Sequence, residues 1–283
     1  MAHIRRDQLC ALGIHYIMYP LDYMLDGHAA AGFNKIELIG EAPHFYMDQA
    51  WNQDPDEVRK KVEDRGMTVA LFTPECSCMQ WRCNYADADA HHRSMEFLKR
   101  AMEVAVRLGT QLMTVNACGG TQDEGHDQAL ERAVRHFEEI VAYASEAGLT
   151  LGLEEVRPQE SNVCTTLDDV AMVIEAVDSP ALCATLDTVA MGVAGETPRQ
   201  WFQRLGKKIV HTHFVDGKPY GHLVWGDGLY PLERYLGVLN EFGYQGLLGQ
   251  EITDGRYLDD PREADRRAFE AFAPYFVDEE DMR

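Results

Sequence analysis

Two hydrophobic rhythms take turns along this chain. Short apolar runs rich in β-branched and aromatic residues recur: LGIHYI (12–17), KIELIG (35–40), TVALFT (68–73), QLMTVNA (111–117), LTLGLEE (149–155), LCATLDTV (182–189), IVHTHFV (209–215) and GLLGQEI (246–252). Runs of this kind suit parallel strands buried on both faces. Between them lie stretches with apolar residues three and four apart, most plainly RSMEFLKRAMEVAVRLG and ALERAVRHFEEIVAYASEAG. That is the period of an amphipathic helix, and both stretches end in Gly, a common helix stop. Eight strand units alternating with eight helices over 283 residues predict an α/β chain folded as a single (β/α)8 TIM barrel, one domain spanning 1–283. A doubly wound sheet is the competing arrangement, but no Gly-rich phosphate fingerprint follows the first strand.

In such a barrel, catalytic groups collect at the C-terminal ends of the strands. Strand five ends in Glu154 and Glu155, strand six carries Asp187, strand seven carries His211 and His213, and strand eight ends in Glu251. An unpaired charge in an apolar strand is costly, and few basic residues lie within these strands. A divalent cation neutralises the acids directly, taking carboxylate oxygens and an imidazole nitrogen as ligands. Oxygen and nitrogen donors without thiolate favour Mn²⁺, Mg²⁺ or Co²⁺, with Mn²⁺ foremost and Zn²⁺ not excluded. Alternation along a strand sends Glu154 and Glu155 to opposite sides, so one of them faces the barrel axis. His211 and His213 point the same way. His213 is nearer the C-terminal end and is the better ligand, with His211 one layer deeper as its support.

Composition narrows the partners. The formal net charge of −21 disfavours nucleic acid, whose phosphates need a basic surface. No stretch is apolar and long enough to span a membrane, and the N-terminus has no secretory pattern. Seven cysteines are scattered along the chain; Cys76, Cys78 and Cys83 cluster, but no second CxxC partners them. Reduced thiols in a cytoplasmic protein are expected.

The segments LGLEEVRPQESNV, ATLDTVA, HTHFVDG and GQEI resemble the sugar isomerase/epimerase superfamily, the xylose-isomerase-like TIM barrels. The order Glu154, Asp187, His213, Glu251, at spacings of 33, 26 and 38, is similar to that of the ketose 3-epimerases. FTPE (72–75), EVRPQESNV (155–163), GHLVWGDG (221–228) and YLDDP (257–261) lean toward the fructoselysine 3-epimerase branch. The resemblance implies that Glu154, Asp187, His213 and Glu251 bind the cation. It implies that Glu154 and Glu251 also act as acid and base on opposite faces of the reacting carbon, and that Glu160 contacts substrate. The implied activity is C3 epimerisation of a ketosugar or fructosamine through a cis-enediolate. Two departures bear on substrate. The Asp-x-x-His of the free-ketose enzymes is Asp187-Thr-Val-Ala190 here, and the Arg six residues after the ligand His is Pro219. A longer substituent at C1 is therefore expected.

Position along the chain adds pocket candidates: His15 at the end of strand one, His44 after strand two, Glu75 after strand three, Asn116 at the end of strand four and Trp225 in the loop after strand seven. Glu37, within strand two, reads as a supporting acid. Asp216 either orients a ligand or caps a turn. Rival activities use the same enolate: aldose–ketose isomerisation, or a lyase or dehydratase acting on a 3-keto sugar or 3-keto C-glycoside. The expected partner is a small carbohydrate; homo-oligomerisation is left open.

Overall fold

The structure, a computed structural model, describes residues 2–47, 53–74 and 86–277. Eight parallel strands close into a barrel in chain order. They are β1 (Leu9–Leu12), β2 (Lys35–Gly40), β3 (Thr68–Pro74), β4 (Leu112–Asn116), β5 (Thr150–Glu154), β6 (Leu182–Asp187), β7 (Ile209–His213) and β8 (Leu247–Glu251). The ring closes where β1 pairs with β8, Leu12 standing beside Glu251.

Helices follow the strands: α1 (Leu21–Ala31), α2 (Pro55–Glu63), α3 (Ala88–Leu108), α4 (His126–Glu146), α5 (Leu167–Val177), α6 (Thr188–Val193), α7 (Pro198–Leu205), α8 (Leu232–Glu241) and α9 (Pro261–Glu270). The sixth unit thus carries a short extra helix, α6, before α7. Local chemistry sets the ends. Asp87 caps α3 by accepting from the Ala90 N–H at 2.7 Å, and Gly109 closes it with a left-handed φ of 84°. Thr166 caps α5 and Thr197 caps α7, where Pro198 fits the first turn. The inner helix faces pack Phe97, Phe137, Val170 and Trp201 against the sheet, and all four are buried.

The first strand differs from the expected 12–17. It ends at Leu12, and Ile14–Tyr16 forms a 3₁₀ turn. The apolar run continues past the strand because the turn itself is packed inward: His15 and Tyr16 are both buried. Thiol chemistry also departs from the expectation of reduced cysteines. Cys10, Cys164 and Cys183 are free, but Cys118 is disulfide-bonded. Cys76, Cys78 and Cys83 all lie outside the described residues. No helix among the described residues is long and apolar enough to cross a membrane.

Candidate metal centre and its cavity

The last residues of β5, β6, β7 and β8 are Glu154, Asp187, His213 and Glu251. Register places Asp187 beside His213, so the four gather at one rim. One donor atom from each lies within 4.8 Å of the others. His213 Nδ1 contacts Glu154 Oε1 and lies 3.2 Å from Glu251 Oε2. Asp187 has two tasks: Oδ1 accepts from the Val189 N–H at 2.6 Å, starting α6, and Oδ2 lies 2.8 Å from His222 Nε2. His222 also reaches Glu251 Oε2 at 3.2 Å, and its Nδ1 lies 3.3 Å from Thr253 Oγ1.

Crowding of buried acids shows in their proton affinities. Burial, only partly offset by His213, pushes the Glu154 carboxyl up to about 8. Burial alone would lower His222, but Asp187 and Glu251 outweigh it and carry the imidazole up to about 9. Burial opposes ionisation of Asp187 too, yet the adjacent His222 holds its carboxyl below the usual range. Protons therefore sit where the cluster is short of positive charge. Three carboxylates and one imidazole, with no thiolate, form a donor set that fits a hard or borderline divalent cation.

Glu155 settles which of the paired acids faces inward. It is fully buried on the other side of β5, and neither carboxyl oxygen has a partner. Burial raises it to about 10, so it is kept as a neutral acid.

Above the cluster opens a cavity of about 300 Å³. Ile14, Ile17 and Ile39 line one part of it, and Asn116, Arg157 and Glu160 another. Glu160 holds Arg157 through several contacts: Oε2 accepts from the Arg157 backbone N–H at 3.0 Å and from Nε at 2.9 Å, and Oε1 accepts from Nη2.

The remaining candidates divide. Glu160 and Asn116 face the cavity, the Asn116 Oδ1 accepting from the Cys118 N–H at 2.9 Å. Three do not. His15 turns away to Asp265 on α9, at 2.9 Å, because its turn is packed inward. His44 is spent on the backbone carbonyls of Tyr16 and Tyr19, at 3.0 and 3.2 Å. Trp225 packs on Phe214, Tyr235 and Phe272 and donates to the Phe214 carbonyl at 2.9 Å, a core contact rather than a sugar wall. Glu75 lies outside the described residues. His211 sits beneath His213, its Nε2 2.9 Å from Glu37 Oε2. Asp216 touches none of the four donors; it accepts backbone N–H groups of Gly217, Gly226, Gly228 and Tyr230 at 2.8–2.9 Å. Of the two readings open for it, the turn cap is the one seen.

Two residues of the site have no strand-end signal. His222 belongs to the loop after β7, and Arg157 to the loop after β5. The GHLVWGDG segment was the one available pointer to His222, since a histidine in a Gly-bounded loop follows no hydrophobic period.

Residues 25–274 match the family described as xylose isomerase-like TIM barrel. The chain belongs to that family. Within reach of this xylose isomerase-like barrel is the fructoselysine 3-epimerase of Escherichia coli O157:H7, 26% identical over 263 residues, covering 92% of this chain and 95% of that protein. Its fold is also similar to that of an L-ribulose 3-epimerase (TM-score 0.76, 21% identity, 97% of this chain and 94% of the other). A D-psicose 3-epimerase studied in the presence of D-fructose is similar to the same degree (TM-score 0.76, 17% identity, 94% and 97%).

Proposed function

We propose that this xylose isomerase-like barrel is a divalent-metal-dependent sugar epimerase that inverts C3 of a ketosugar or fructosamine through a cis-enediolate. The observation that carries the reading is the four-donor cluster at the strand ends, opening into a cavity of sugar size. Glu154, Asp187, His213 and Glu251 would hold the cation, with Mn²⁺ the first candidate and Mg²⁺, Co²⁺ or Zn²⁺ the alternatives. When bound, a divalent cation polarises a carbonyl and its neighbouring hydroxyl and stabilises the developing enediolate charge.

The chain's own residues do the proton work. Glu154 on β5 and Glu251 on β8 stand three strands apart around the rim, so their carboxylates approach a reacting carbon from different sides. One removes the C3 proton and the other returns a proton to the opposite face, which inverts the centre. Burial raises the metal-free Glu154 carboxyl to about 8, and a bound cation would lower it again. Arg157 and Glu160 supply charged contacts beyond the cluster. They and the similarity to a fructoselysine 3-epimerase support a substrate with a charged substituent on C1.

The test is incubation of the metal-loaded protein with ketoses and fructosamines in deuterated water, followed by NMR. Deuterium at C3 together with a new C3 epimer is the expected result. Deuterium at C1 or C2 would instead indicate aldose–ketose isomerisation, and release of water or of the C1 group would indicate a lyase.

A further inference from the structure

The His213 ring has one nitrogen on each side of a boundary. Nδ1 faces the carboxylates of the candidate centre, while Nε2 lies 3.0 Å from Glu37 Oε1, deeper in the barrel. The second Glu37 oxygen lies 2.9 Å from His211 Nε2, and Oε1 also accepts from the Thr73 hydroxyl at 2.6 Å. The side chains of Glu37 and His211 are fully buried and that of His213 nearly so. An ionised carboxylate only accepts. Both imidazoles must then present Nε2–H to Glu37, and His213 must turn its other nitrogen, Nδ1, toward Glu154 and Glu251.

We propose that Glu37 is the positioning residue of the centre: it fixes the tautomer and orientation of His213 so that Nδ1 is the nitrogen offered to the cation, with His211 as the second donor that holds Glu37 in place. This rests on the reading that the four strand-end donors bind a divalent cation. A competing arrangement exists, since Glu37, His211 and His213 are themselves three donors within 4.8 Å of one another. Against a second ion, these groups already satisfy one another by hydrogen bonds. They also supply only three ligands in a place closed to solvent.

The test has two arms. In the first, wild-type protein labelled with ¹⁵N-histidine and loaded with Mg²⁺ is read by imidazole NMR, with the His213 ring assigned from correlations within the wild-type protein. The expected signature is His213 protonated at Nε2 and ligated through Nδ1; ligation through Nε2, or a proton on Nδ1, overturns the proposal without depending on how any variant folds. In the second, Mn²⁺ is titrated calorimetrically into wild type and Glu37→Gln, whose metal-free melting is measured separately. One ion per wild-type chain, bound 10–100-fold more weakly by the variant, is expected. Equal affinity overturns the positioning role alone. Two ions per chain, one of them lost in Glu37→Gln, overturns it in favour of a second site. No binding by wild type overturns the metal reading itself, and the positioning role with it.

Discussion

His222 and Asp187 meet across the barrel mouth, Nε2 to Oδ2 at 2.8 Å, although 35 residues and a strand separate them. The Asp-x-x-His of the free-ketose enzymes puts a histidine three residues after the strand-six acid. That position is Ala190 here, buried in the first turns of α6. The imidazole beside Asp187 comes instead from the following loop, which also brings it to Glu251. The acidic rim is thereby bridged from β6 to β8 without a residue from α6.

The proposed cation binding is expected to depend on pH. Metal-free, Glu154 titrates near 8 and His222 near 9. Ligation requires a deprotonated Glu154, so below pH 8 the ion competes with a proton. Affinity for Mn²⁺ is expected to rise from pH 6 to pH 8, by about 10-fold per pH unit for each proton displaced. Calorimetry in buffers of different ionisation enthalpy counts the protons released. Affinity independent of pH, with none released, contradicts the cluster as described.

Glu154→Gln and Glu251→Gln keep side-chain shape and remove one proton carrier each. Turnover is expected to fall by roughly 10²–10⁴ in either variant, the usual span for losing a general acid or base. The two should also split by substrate. Each is expected to exchange deuterium into only one of the two C3 epimers, because only one face retains a base. Separate NMR wash-in measurements on both epimers check this; wash-in to both at wild-type rate shows that neither Glu is the base.

Much of this arrangement was legible in the sequence because it is local. Parallel strands covered on both faces are apolar throughout, so an acid or histidine at a strand end stands out, as Glu154, Asp187, His213 and Glu251 do. Strand alternation correctly put Glu154 and Glu155 on opposite sides and His211 beneath His213. Reading failed where an apolar run does not mean strand: His15 follows β1 in a 3₁₀ turn, and its true partner, Asp265, is 250 residues away. His44 and Trp225 were pocket candidates by position, but backbone carbonyls claim their nitrogens. His222 lay in a loop whose path depends on Asp216, and no periodicity reports that.

Asp216 is therefore expected to matter for activity without meeting substrate. Its carboxylate gathers four N–H groups of the loop that carries His222. The loop is built for it: Gly226 adopts φ of 101°, and a Cβ on Gly228 would collide with the Asp216 side chain. Asp216→Ala leaves several donors short of partners, at a cost of about 3 kcal/mol. Urea unfolding should register that loss, and kcat/KM should fall with it as His222 leaves Asp187. Wild-type stability and kcat/KM in the variant would dissociate the loop from the site.

Asp265 offers a pH-dependent test of the fold beneath the cavity. This buried carboxylate on α9 binds His28 Nδ1 at 2.7 Å, His15 Nε2 at 2.9 Å and the Tyr16 hydroxyl at 2.6 Å. It ties α9 to α1 and to the turn that sends Ile14 to the cavity wall. Burial alone would raise its pKa, but His28 and His15 outweigh that and hold it well below the ordinary carboxylate range. A depressed carboxyl stabilises the fold above its unfolded pKa of about 3.9, and that contribution fades as pH falls below it. Asp265→Asn, which strands two buried imidazoles, is expected to cost about 3–5 kcal/mol. Urea unfolding of both proteins from pH 7 down to pH 3 should find the full difference above pH ~5 and a shrinking one below ~4. A difference that stays constant over that range would mean that Asp265 acts through packing alone, not through its charge.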